Sequence, residues 1–577
     1  MILAATPAAP GILRSISAPE GTDTLNQELS RLGDDYWEYR LQVNPTTALM
    51  MGDHRYDGQM EDASRAAEDA HIARLRSFAA AAATVEPHTL TPDEAISREV
   101  LMFTATVEAE GEETRLAEFD VNPVVGFHAM LGVSAAQFPI TEPEHAEAML
   151  DKYVGIARMF DQMAVRLQEG VANGRTPPDE HVNAVVAQID AYLAGSVEDD
   201  ALVQLRAPEI YDEAAEAAWR SRLAATVTEQ IRPAYQRYRD VITNDVLPAA
   251  RPIDQPGLTY LPDGEVAYAR AVHRHTSLGM DPREVHEIGR QQIRLLEDEY
   301  RSIGGEALGT EDLTEIYDRL RSDATLHFEN GPDVVVASEI AMAKARTEMA
   351  DWFGELPKAE CVVAETQHGP TAYYFRPALD GSRPGTFFVN TADPTRWGRF
   401  EIEAMAYHEG IPGHHLQLAI AQELEGVPAF RSNARVTAYS EGWGLYTERL
   451  ADEMGLYSTP LDRIGMLSAD SMRAGRLVID TGIHALGWSK QEAMDYFANN
   501  SPMSLSTIEG EVDRYIGMPG QALAYMIGRL EIMRIRTDAE SRMGAAFDIK
   551  GFHDIVLGSG LVPLETLDRM VAGWASQ

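Results

Sequence analysis

Cysteine is almost absent from this sequence, because Cys361 is the one cysteine among 577 residues. A single cysteine excludes an internal disulfide and a metal site built from several thiolates. A lone thiol is a nucleophile candidate in principle. The run Glu360-Cys361-Val362-Val363, however, is typical of the start of a strand, and we expect Cys361 to lie in the core.

Positive charge is also scarce. The chain has 5 lysines and 44 arginines against 90 acidic residues, which gives a formal net charge of −41 at pH 7. Such a surface repels nucleic acid and anionic membranes and favours solubility, so we expect no nucleic-acid partner. The acidic surface could also attract cationic substrates. We favour the simpler interpretation that the acidic residues form a solvated surface, as proteins from saline habitats have.

Long apolar runs are missing as well. No stretch of about 18 apolar residues occurs, so we expect no membrane-spanning helix and no membrane partner. The first ten residues lack a basic segment and an apolar run long enough for export. The expected location is therefore the cytoplasm, and a trimmed secretory leader is the open alternative.

Helical periodicity dominates what is present. Apolar residues recur at spacings of three and four, with proline and glycine between the segments. The sequence predicts a flexible lead-in over 1–22, a helical lobe over 23–250 and a catalytic lobe over 251–577, with Arg251–Gly257 as the linker. We expect both lobes to form one integrated domain, a large helical assembly that encloses a cleft.

Three β-rich segments interrupt the helical pattern before the second lobe's main motif. They are Cys361–Glu365, Thr371–Phe375 and Thr386–Asn390, and Asp380–Gly385 links the last two as a hairpin-like turn. The sequence therefore predicts a fold that is mainly α with a small antiparallel β-sheet. Such a sheet either is purely structural or binds an extended substrate as an added strand, and in the second case we expect Phe388 and Asn390 to contact substrate.

The most informative segment is His408-Glu409-Gly410-Ile411-Pro412-Gly413-His414-His415, which is followed by Glu441. Two neutral imidazoles and one carboxylate form the open, three-ligand zinc site of hydrolases. Glu409, beside the first histidine, is the general-base candidate, as in the HExxH motif of zinc peptidases. The sequence predicts one Zn²⁺ per chain, bound by His408, His414 and Glu441.

The spacing of the two histidines requires a break in the helix. His408 and His414 are six positions apart, which on a regular helix means about 600° of rotation and roughly 9 Å of rise. Pro412 has no N–H to donate and its ring clashes with the carbonyl of His408, while the flanking glycines tolerate unusual backbone angles. We therefore predict a broken or bulged turn that returns His414 to the side of His408.

His415 is the weaker ligand candidate, since a regular helix places it about 10.5 Å along the axis from His408. The simpler alternative to a metal site is a helix that ends at Pro412-Gly413 with two capping histidines. The presence of Glu409 and of a downstream Glu441 in a helical setting favours the metal site.

The histidine motif and the region around Glu441 also resemble a known family. The bacterial family catalogued as "domain of unknown function 885" has similar motifs at Glu403–Gln417, Ser440–Glu448, Asp380–Gly385, Asp480–His484 and Arg514–Gln521. The resemblance spans most of the chain and implies a mainly helical, zincin-like relative of the gluzincin metallopeptidases. In the family pattern the residue at the position of His415 can be aromatic, which also favours His414 as the ligand. The family name supplies no substrate.

One helix beyond Glu441 carries polar residues on an apolar background. Arg473, Arg476, Asp480 and His484 are spaced by three, four and four, so they share one helix face. Such a stripe is either a buried network, with Arg476 paired to Asp480, or the wall of a wet cleft. In the second case Arg473, Arg476, His484 or the more distant Arg514 binds substrate, and arginine is well suited to a carboxylate.

Two tyrosines and a glutamate complete the predicted site. Tyr525 and Tyr515 are candidates for donating a hydrogen bond to the oxyanion of a tetrahedral intermediate, although most tyrosines only pack. Glu448 is seven residues from Glu441, two helical turns away, where it either bonds a ligand histidine or lies at the surface. Asp480 is a further candidate for support behind the site.

These features predict a zinc-dependent hydrolase that cleaves short peptides, with Glu409 as general base. A first alternative is a zinc amidohydrolase that acts on a non-peptide amide. A second alternative is a non-catalytic protein whose zinc ties helices together, although a structural site needs no base and usually has four protein ligands. We expect a monomer or homodimer.

Overall fold

The computed structural model describes residues 27–367, 369–378, 381 and 383–576. The predicted lead-in over 1–22 lies outside them. The α-helices of the amino-terminal part are α1 Gln27–Val43, α2 Pro45–Met50, α3 Arg65–Thr84, α4 Pro92–Glu113, α5 Phe127–Ala135, α6 Pro143–Ala172, α7 Asp179–Ala194, α8 Glu213–Thr226 and α9 Arg232–Val241.

The described residues that follow are also mainly helical. Their α-helices are α10 Gly264–Thr276, α11 Pro282–Ala307, α12 Leu313–Ser322, α13 Gly331–Trp352, α14 Ile402–Glu409, α15 His414–Glu423, α16 Ala429–Ser432, α17 Thr437–Glu453, α18 Pro460–Leu486, α19 Lys490–Asn500, α20 Leu505–Gly517, α21 Ala524–Met543, α22 Ile549–Leu557 and α23 Leu564–Trp574. None of the described helices is long and apolar enough to span a bilayer.

The three predicted strands are present, and each begins or ends within one residue of its predicted limits. They are β1 Cys361–Thr366, β2 Ala372–Phe375 and β3 Gly385–Asn390, in the sheet order β1-β3-β2. The prediction of an antiparallel sheet is wrong for one pair, because β3 pairs antiparallel with β2 but parallel with β1. The chain passes from β1 to β2 at the opposite edge of the sheet, and β3 then lies between β1 and β2. The sheet is therefore mixed.

The hydrophobic core crosses the predicted lobe boundary. One cluster of buried side chains lies wholly within residues 49–246 and holds α6 to α9 together. Another joins residues of α1, α3 and α4 to the sheet and to α13, α14, α17 and α21. Part of the amino-terminal region thus shares its core with the region that carries the histidine motif.

Two helix pairs position the site. α11 packs along α18, and α17 packs along α21. At the second crossing Gly442 and Gly528 approach so closely that a Cβ atom on Gly442 would meet the backbone of Gly528. The crossing therefore holds two backbones in contact, which only glycine permits without displacement. Cys361, the first residue of β1, is buried in the core, as predicted.

Candidate metal centre

The predicted break between the two histidines is confirmed. α14 ends at Glu409 and α15 begins at His414, with a cis Ile411–Pro412 peptide bond in the connecting turn. A Cβ atom on Gly413 would collide with the backbone carbonyl of His408, so the turn folds tightly back over the end of α14. The indole N–H of Trp443 donates to the Pro412 carbonyl at 3.0 Å and ties the turn to α17.

This turn brings together three donor atoms. The Nε2 atom of His414 lies 3.4 Å from Oε2 of Glu441, and Nε2 of His408 lies 3.8 Å from the same oxygen. Each of the three residues offers a ligand atom within 4.8 Å of the other two. Donors bound at about 2.0–2.1 Å to a tetrahedral zinc ion are roughly 3.3–3.4 Å apart, so the observed separations are close to those of a bound set.

Glu441 reaches the histidines because α17 passes very close to α14. A Cβ atom on Gly444 would lie 2.7 Å from the ring of His408, so the absence of a side chain there makes room for the imidazole. Glu441 is one turn earlier on α17, and its carboxylate points to the gap between the two rings. The rings of His408 and His414 are nearly perpendicular, at 85°, with centroids 4.8 Å apart.

Glu448 orients His408 from the opposite side. It lies two turns after Glu441 on α17 and is buried, and Nδ1–H of His408 donates to its Oε1 atom at 2.8 Å. With the proton on Nδ1, the lone pair of Nε2 faces His414 and Glu441. The guanidinium of Arg473 lies 4.0 Å from the same Oε1 atom. Of the two predicted placements, the structure has Glu448 bonded to a histidine.

His415 is turned away from this centre. Tyr374 donates its hydroxyl to Nδ1 of His415 at 2.9 Å, and Nε2–H of His415 donates to the carbonyl of Ala359 at 3.1 Å. Burial lowers the pKa of His415 to about 4, which keeps the ring neutral. Both nitrogens are used inside the protein, so the structure brings His414 and not His415 to Glu441.

The charge balance at the centre fits a cation. Burial opposes protonation of His408, but the neighbouring carboxylates of Glu441 and Glu448 outweigh it and raise its pKa to about 9. Burial likewise opposes ionisation of Glu441, but the neighbouring imidazoles of His408 and His414 hold its pKa well below the usual range. Two imidazoles and a carboxylate are a nitrogen–oxygen donor set of the type that zinc prefers.

The centre opens into a cleft of about 600 Å³. The cleft is lined by Glu409 from α14, by residues 371–374 at β2 and by Tyr525 from α21. The ring of Tyr525 stacks roughly parallel to that of His408, with centroids 6.4 Å apart. Two of the predicted catalytic residues, Glu409 and Tyr525, therefore line the same cavity as the three donors.

The three predicted cleft arginines also line this cavity. Arg473 and Arg476 come from α18, and Arg514 comes from α20. Arg476 lies over the ring of Tyr525, with its guanidinium carbon 4.4 Å from the centroid, and the guanidinium carbon of Arg473 is 5.8 Å from it. Tyr525 thus lies between the three candidate donors and the arginines.

Other predicted residues lie outside the cleft lining. Tyr515 is buried beneath it, where its hydroxyl donates to Glu511 and accepts from Nε of Arg476. His484 accepts the N–H of Leu258 and donates to the Tyr515 carbonyl, so both of its nitrogens are used. Asp480 accepts from the hydroxyl of Tyr268 and from the N–H of Gly520 and does not pair with Arg476.

The two predicted sheet residues are on the central strand rather than at the cleft. Phe388 stacks on Tyr373, with ring centroids 4.9 Å apart, and Asn390 bonds to the Gly369 carbonyl. Since β3 is paired on both sides, its backbone has no free edge for another strand. β2 has one, and it is the strand that lines the cleft.

Two cleft residues have no signal in the sequence strong enough to single them out. Glu511 is an ordinary helical glutamate until the fold places it between Arg476 and Arg514. Tyr373 belongs to the aromatic run of β2, but only the strand order shows that this strand is the edge at the cleft.

Comparison with known proteins gives a family and a fold. The model of a family described as "Bacterial protein of unknown function (DUF885)" matches residues 45–571. A solved structure of a "putative lipoprotein" from Colwellia psychrerythraea is 25% identical, with a TM-score of 0.88, and the match covers 96% of this chain and 99% of that one. A "putative lipoprotein of unknown function" from Shewanella oneidensis is 20% identical, with a TM-score of 0.75, and the match covers 94% of this chain and 99% of that one. No curated protein sequence matches this chain.

Proposed function

This chain belongs to the bacterial DUF885 family of unknown function, and from its own side chains we propose that it is a zinc-dependent hydrolase that cleaves short peptides. The observation that carries this proposal is the convergence of His408, His414 and Glu441 on one point of a cleft that Glu409 also lines. The zincin-like relationship and the cytoplasmic location stay predictions.

His408, His414 and Glu441 would hold one Zn²⁺. Zinc bound there would supply a Lewis acid that polarises the scissile carbonyl and lowers the pKa of water. Three protein donors leave a coordination position open, as catalytic zinc sites require. Glu448 fixes the orientation of His408 through the 2.8 Å hydrogen bond to Nδ1.

Glu409 is the general base in this proposal. Its carboxylate accepts a proton from the attacking water while the water oxygen forms a bond to the scissile carbonyl carbon. The same carboxyl group then delivers that proton to the amide nitrogen as the carbon–nitrogen bond breaks, so that a carboxylic acid and an amine are released. Two observations support this role: Glu409 follows His408 directly in the chain, and it lines the same cavity as the donors.

Tyr525 is the hydrogen-bond donor to the developing oxyanion. Burial raises the pKa of its phenol, so the hydroxyl keeps its proton at neutral pH and can donate. Its ring is fixed between His408 and the guanidinium of Arg476. Tyr515 cannot take this role in the described arrangement, because its hydroxyl is bound to Glu511 beneath the cleft.

An extended substrate fits the free edge of β2. Residues 371–374 line the cleft, and β2 is hydrogen-bonded on one side only, to β3. A peptide laid along that edge would form main-chain hydrogen bonds like an added strand. Its scissile bond would then lie between β2 and the Glu441 side of the cleft.

The alternatives differ in what they require of Glu409 and of β2. An amidohydrolase acting on a non-peptide amide uses the same centre but needs no strand edge. A structural zinc site needs neither a base in the cleft nor an open coordination position. The location of Glu409 on the cavity wall favours an enzyme over a structural site.

Glu409→Gln tests the proposal. The purified wild type should contain about one zinc ion per chain, and the variant should keep it while losing about 10²–10⁴-fold in kcat on a cleaved peptide, since an amide cannot accept the proton. Metal content and turnover with and without chelator are the measurements. Glu425→Gln, at an exposed glutamate beyond α15, is the matched control and should leave both unchanged.

Near-normal turnover of Glu409→Gln would remove the general base from the mechanism. Glu441→Gln should instead lose zinc together with activity, because the amide is a weak zinc ligand. Zinc retention in that variant would contradict the three-donor assignment.

A further inference from the structure

A pair of arginines in the cleft wall shares a single carboxylate. Arg476 donates through Nη2 to Glu511 at 2.8 Å, and Arg514 donates through Nη2 to the same oxygen at 3.0 Å. Within the described residues, no second carboxylate lies within ion-pair distance of either guanidinium. The cluster therefore carries two positive charges against one negative charge.

Arg514 also donates through Nε to the other oxygen of Glu511 at 3.3 Å, and the remaining hydrogen bonds of the pair go to neutral groups. Arg476 donates through Nε to the hydroxyl of Tyr515 at 2.8 Å, and Arg514 donates through Nη1 to the side-chain oxygen of Gln521 at 2.7 Å. Nη1 of Arg476 is buried without any hydrogen-bond partner. A buried guanidinium with an unused edge is costly unless an anion completes it.

Asp480 does not supply the missing charge. It forms no ion pair with either arginine, and its oxygens accept from Tyr268 and Gly520. Burial raises the pKa of Asp480 to about 7, so it is only partly ionised at neutral pH. The excess positive charge of the pair remains.

A second arginine pair in the same protein, made of the half-buried Arg449 and the buried Arg529, has balanced charges. Arg449 and Arg529 share Asp470, and Arg449 also pairs with Glu299 at 2.7 Å. Two guanidinium groups there meet two carboxylates. That pair lies outside the cleft lining, whereas the pair with one carboxylate too few lines the cleft.

We propose that Arg514 and Arg476 bind the free terminal carboxylate of a peptide substrate, which supplies the second negative charge. Arg514 is the more exposed of the two and makes the direct contact, with Arg476 behind it. A carboxylate is matched in shape and charge by the guanidinium fork. This deepens the proposed function and rests on it.

The distance from the two arginines to the proposed metal donors limits how many substrate residues lie between the cut bond and the bound carboxylate. The Tyr525 ring centroid is 6.4 Å from that of His408 and 4.4 Å from the guanidinium carbon of Arg476. The Gln521 side chain bonds both Arg514 and the Tyr525 hydroxyl. An extended residue spans about 3.3–3.6 Å, so only one or two residues fit between the cut bond and the bound carboxylate. The enzyme is thus a carboxypeptidase that releases a single residue or a dipeptide.

The test uses an N-acetylated peptide library prepared both as free acids and as carboxyl amides, with the zinc-loaded protein. The wild type should cleave free acids with a kcat/KM about 10–100-fold above that of the amides, the range expected for charge-assisted hydrogen bonds. Mass spectrometry should locate the cut one or two residues from the carboxyl end. In Arg514→Met and Arg476→Met the preference should fall to within about threefold, mainly through loss on the free acids.

Arg396→Met is the matched control, because Arg396 is an exposed arginine that also lines the cleft. It should keep the preference for free acids. Equal cleavage of acids and amides by the wild type, or a preference that survives in both Arg514→Met and Arg476→Met, would overturn the proposal. An equal loss of this preference in Arg396→Met would also overturn the proposal, since general electrostatic attraction to the cleft would then explain the preference.

Failure of the proposed function would look different. If the zinc-loaded wild type cleaves no peptide, calorimetry with N-acetyl-trialanine and its carboxyl amide still measures binding of the terminal carboxylate. Binding of the acid at least about tenfold tighter, lost in Arg514→Met, would support the carboxylate site without the reaction. Equal or undetectable binding of both would reject it.

Discussion

The two halves of the polar stripe on α18 differ in how their side chains are satisfied. Arg473 and Arg476, in the middle of the helix, line the cleft and keep buried nitrogens without partners. Asp480 and His484, in the last two turns, are fully buried, and each side chain bonds to neighbouring groups. All four residues lie on one face of the helix, so the difference comes from what packs against each half.

We call Asp480 and His484 the sealed half of the stripe and Arg473 and Arg476 the open half. The sealed half behaves as a structural network. The hydroxyl of Tyr268 donates to Asp480 at 2.5 Å, and the N–H of Gly520 donates to it at 3.0 Å. The open half lacks such closure, and unsatisfied buried polar atoms are uncommon enough in proteins to call for a ligand or water. Within this stripe, the side chains with missing partners are the ones that face the cleft.

Asp480→Ala should give the largest effect on stability. The change leaves the N–H of Gly520 and the hydroxyl of Tyr268 buried without an acceptor, and we expect a loss of about 2–4 kcal/mol in the free energy of unfolding. Urea unfolding measures it. Asp495→Ala, at an exposed aspartate on α19, is the control and should cost less than about 0.5 kcal/mol. A loss of similar size in both variants would erase the distinction between the two halves.

His484 should make the sealed half sensitive to acid. Burial lowers its folded-state pKa to about 4, below the unfolded value of about 6.5, so the unfolded chain takes up a proton first as pH falls. Its contribution to stability is therefore lost as pH drops from about 6.5 towards 4. Between pH 7 and pH 5.5 the wild type should lose about 1 kcal/mol more unfolding free energy than His484→Gln.

The control for this titration is His88→Gln, at a histidine exposed on the surface. Its stability should follow the wild type across the same pH range. Parallel curves for His484→Gln and the wild type would show that the ring is protonated in the folded protein or is not sealed.

Arg473→Met should give the smallest change. Arg473 forms only weak contacts at 3.4 Å or longer, and its Nε atom is buried without a partner. Its removal relieves the cost of burying the guanidinium and breaks only weak contacts. The free energy of unfolding should therefore change by less than about 1 kcal/mol. Urea unfolding of the zinc-free protein is the measurement, and a loss above about 2 kcal/mol would place Arg473 with the sealed half.

The convergence of the three candidate donors was predictable because covalent geometry left few options. A six-residue spacing cannot bring His408 and His414 to one ion on a regular helix, and the residues between them allow the necessary break. The neighbouring His415 illustrates the limit of this argument. Spacing alone ranks it second, and the reason for its exclusion is Tyr374, a residue 41 positions earlier in the chain.

The sheet and the stripe show what local patterns cannot supply. The strands follow from β-branched and aromatic runs, but the order β1-β3-β2 depends on where the chain crosses after β1. For the same reason Phe388 and Asn390 were plausible cleft residues until β3 proved to be central. Helix periodicity identifies a shared face on α18, and only tertiary packing divides that face at Asp480.

The contact between α17 and α21 sets a dimension of the candidate metal centre. Glu441 precedes Gly442 on α17, and Tyr525 lies three residues before Gly528 on α21. Because the two glycines hold these backbones together, the gap between the Glu441 carboxylate and the Tyr525 phenol depends on the absence of a methyl group on either helix. One added carbon at either glycine would force the helices apart and separate these two side chains, although neither glycine has a side chain in the cleft.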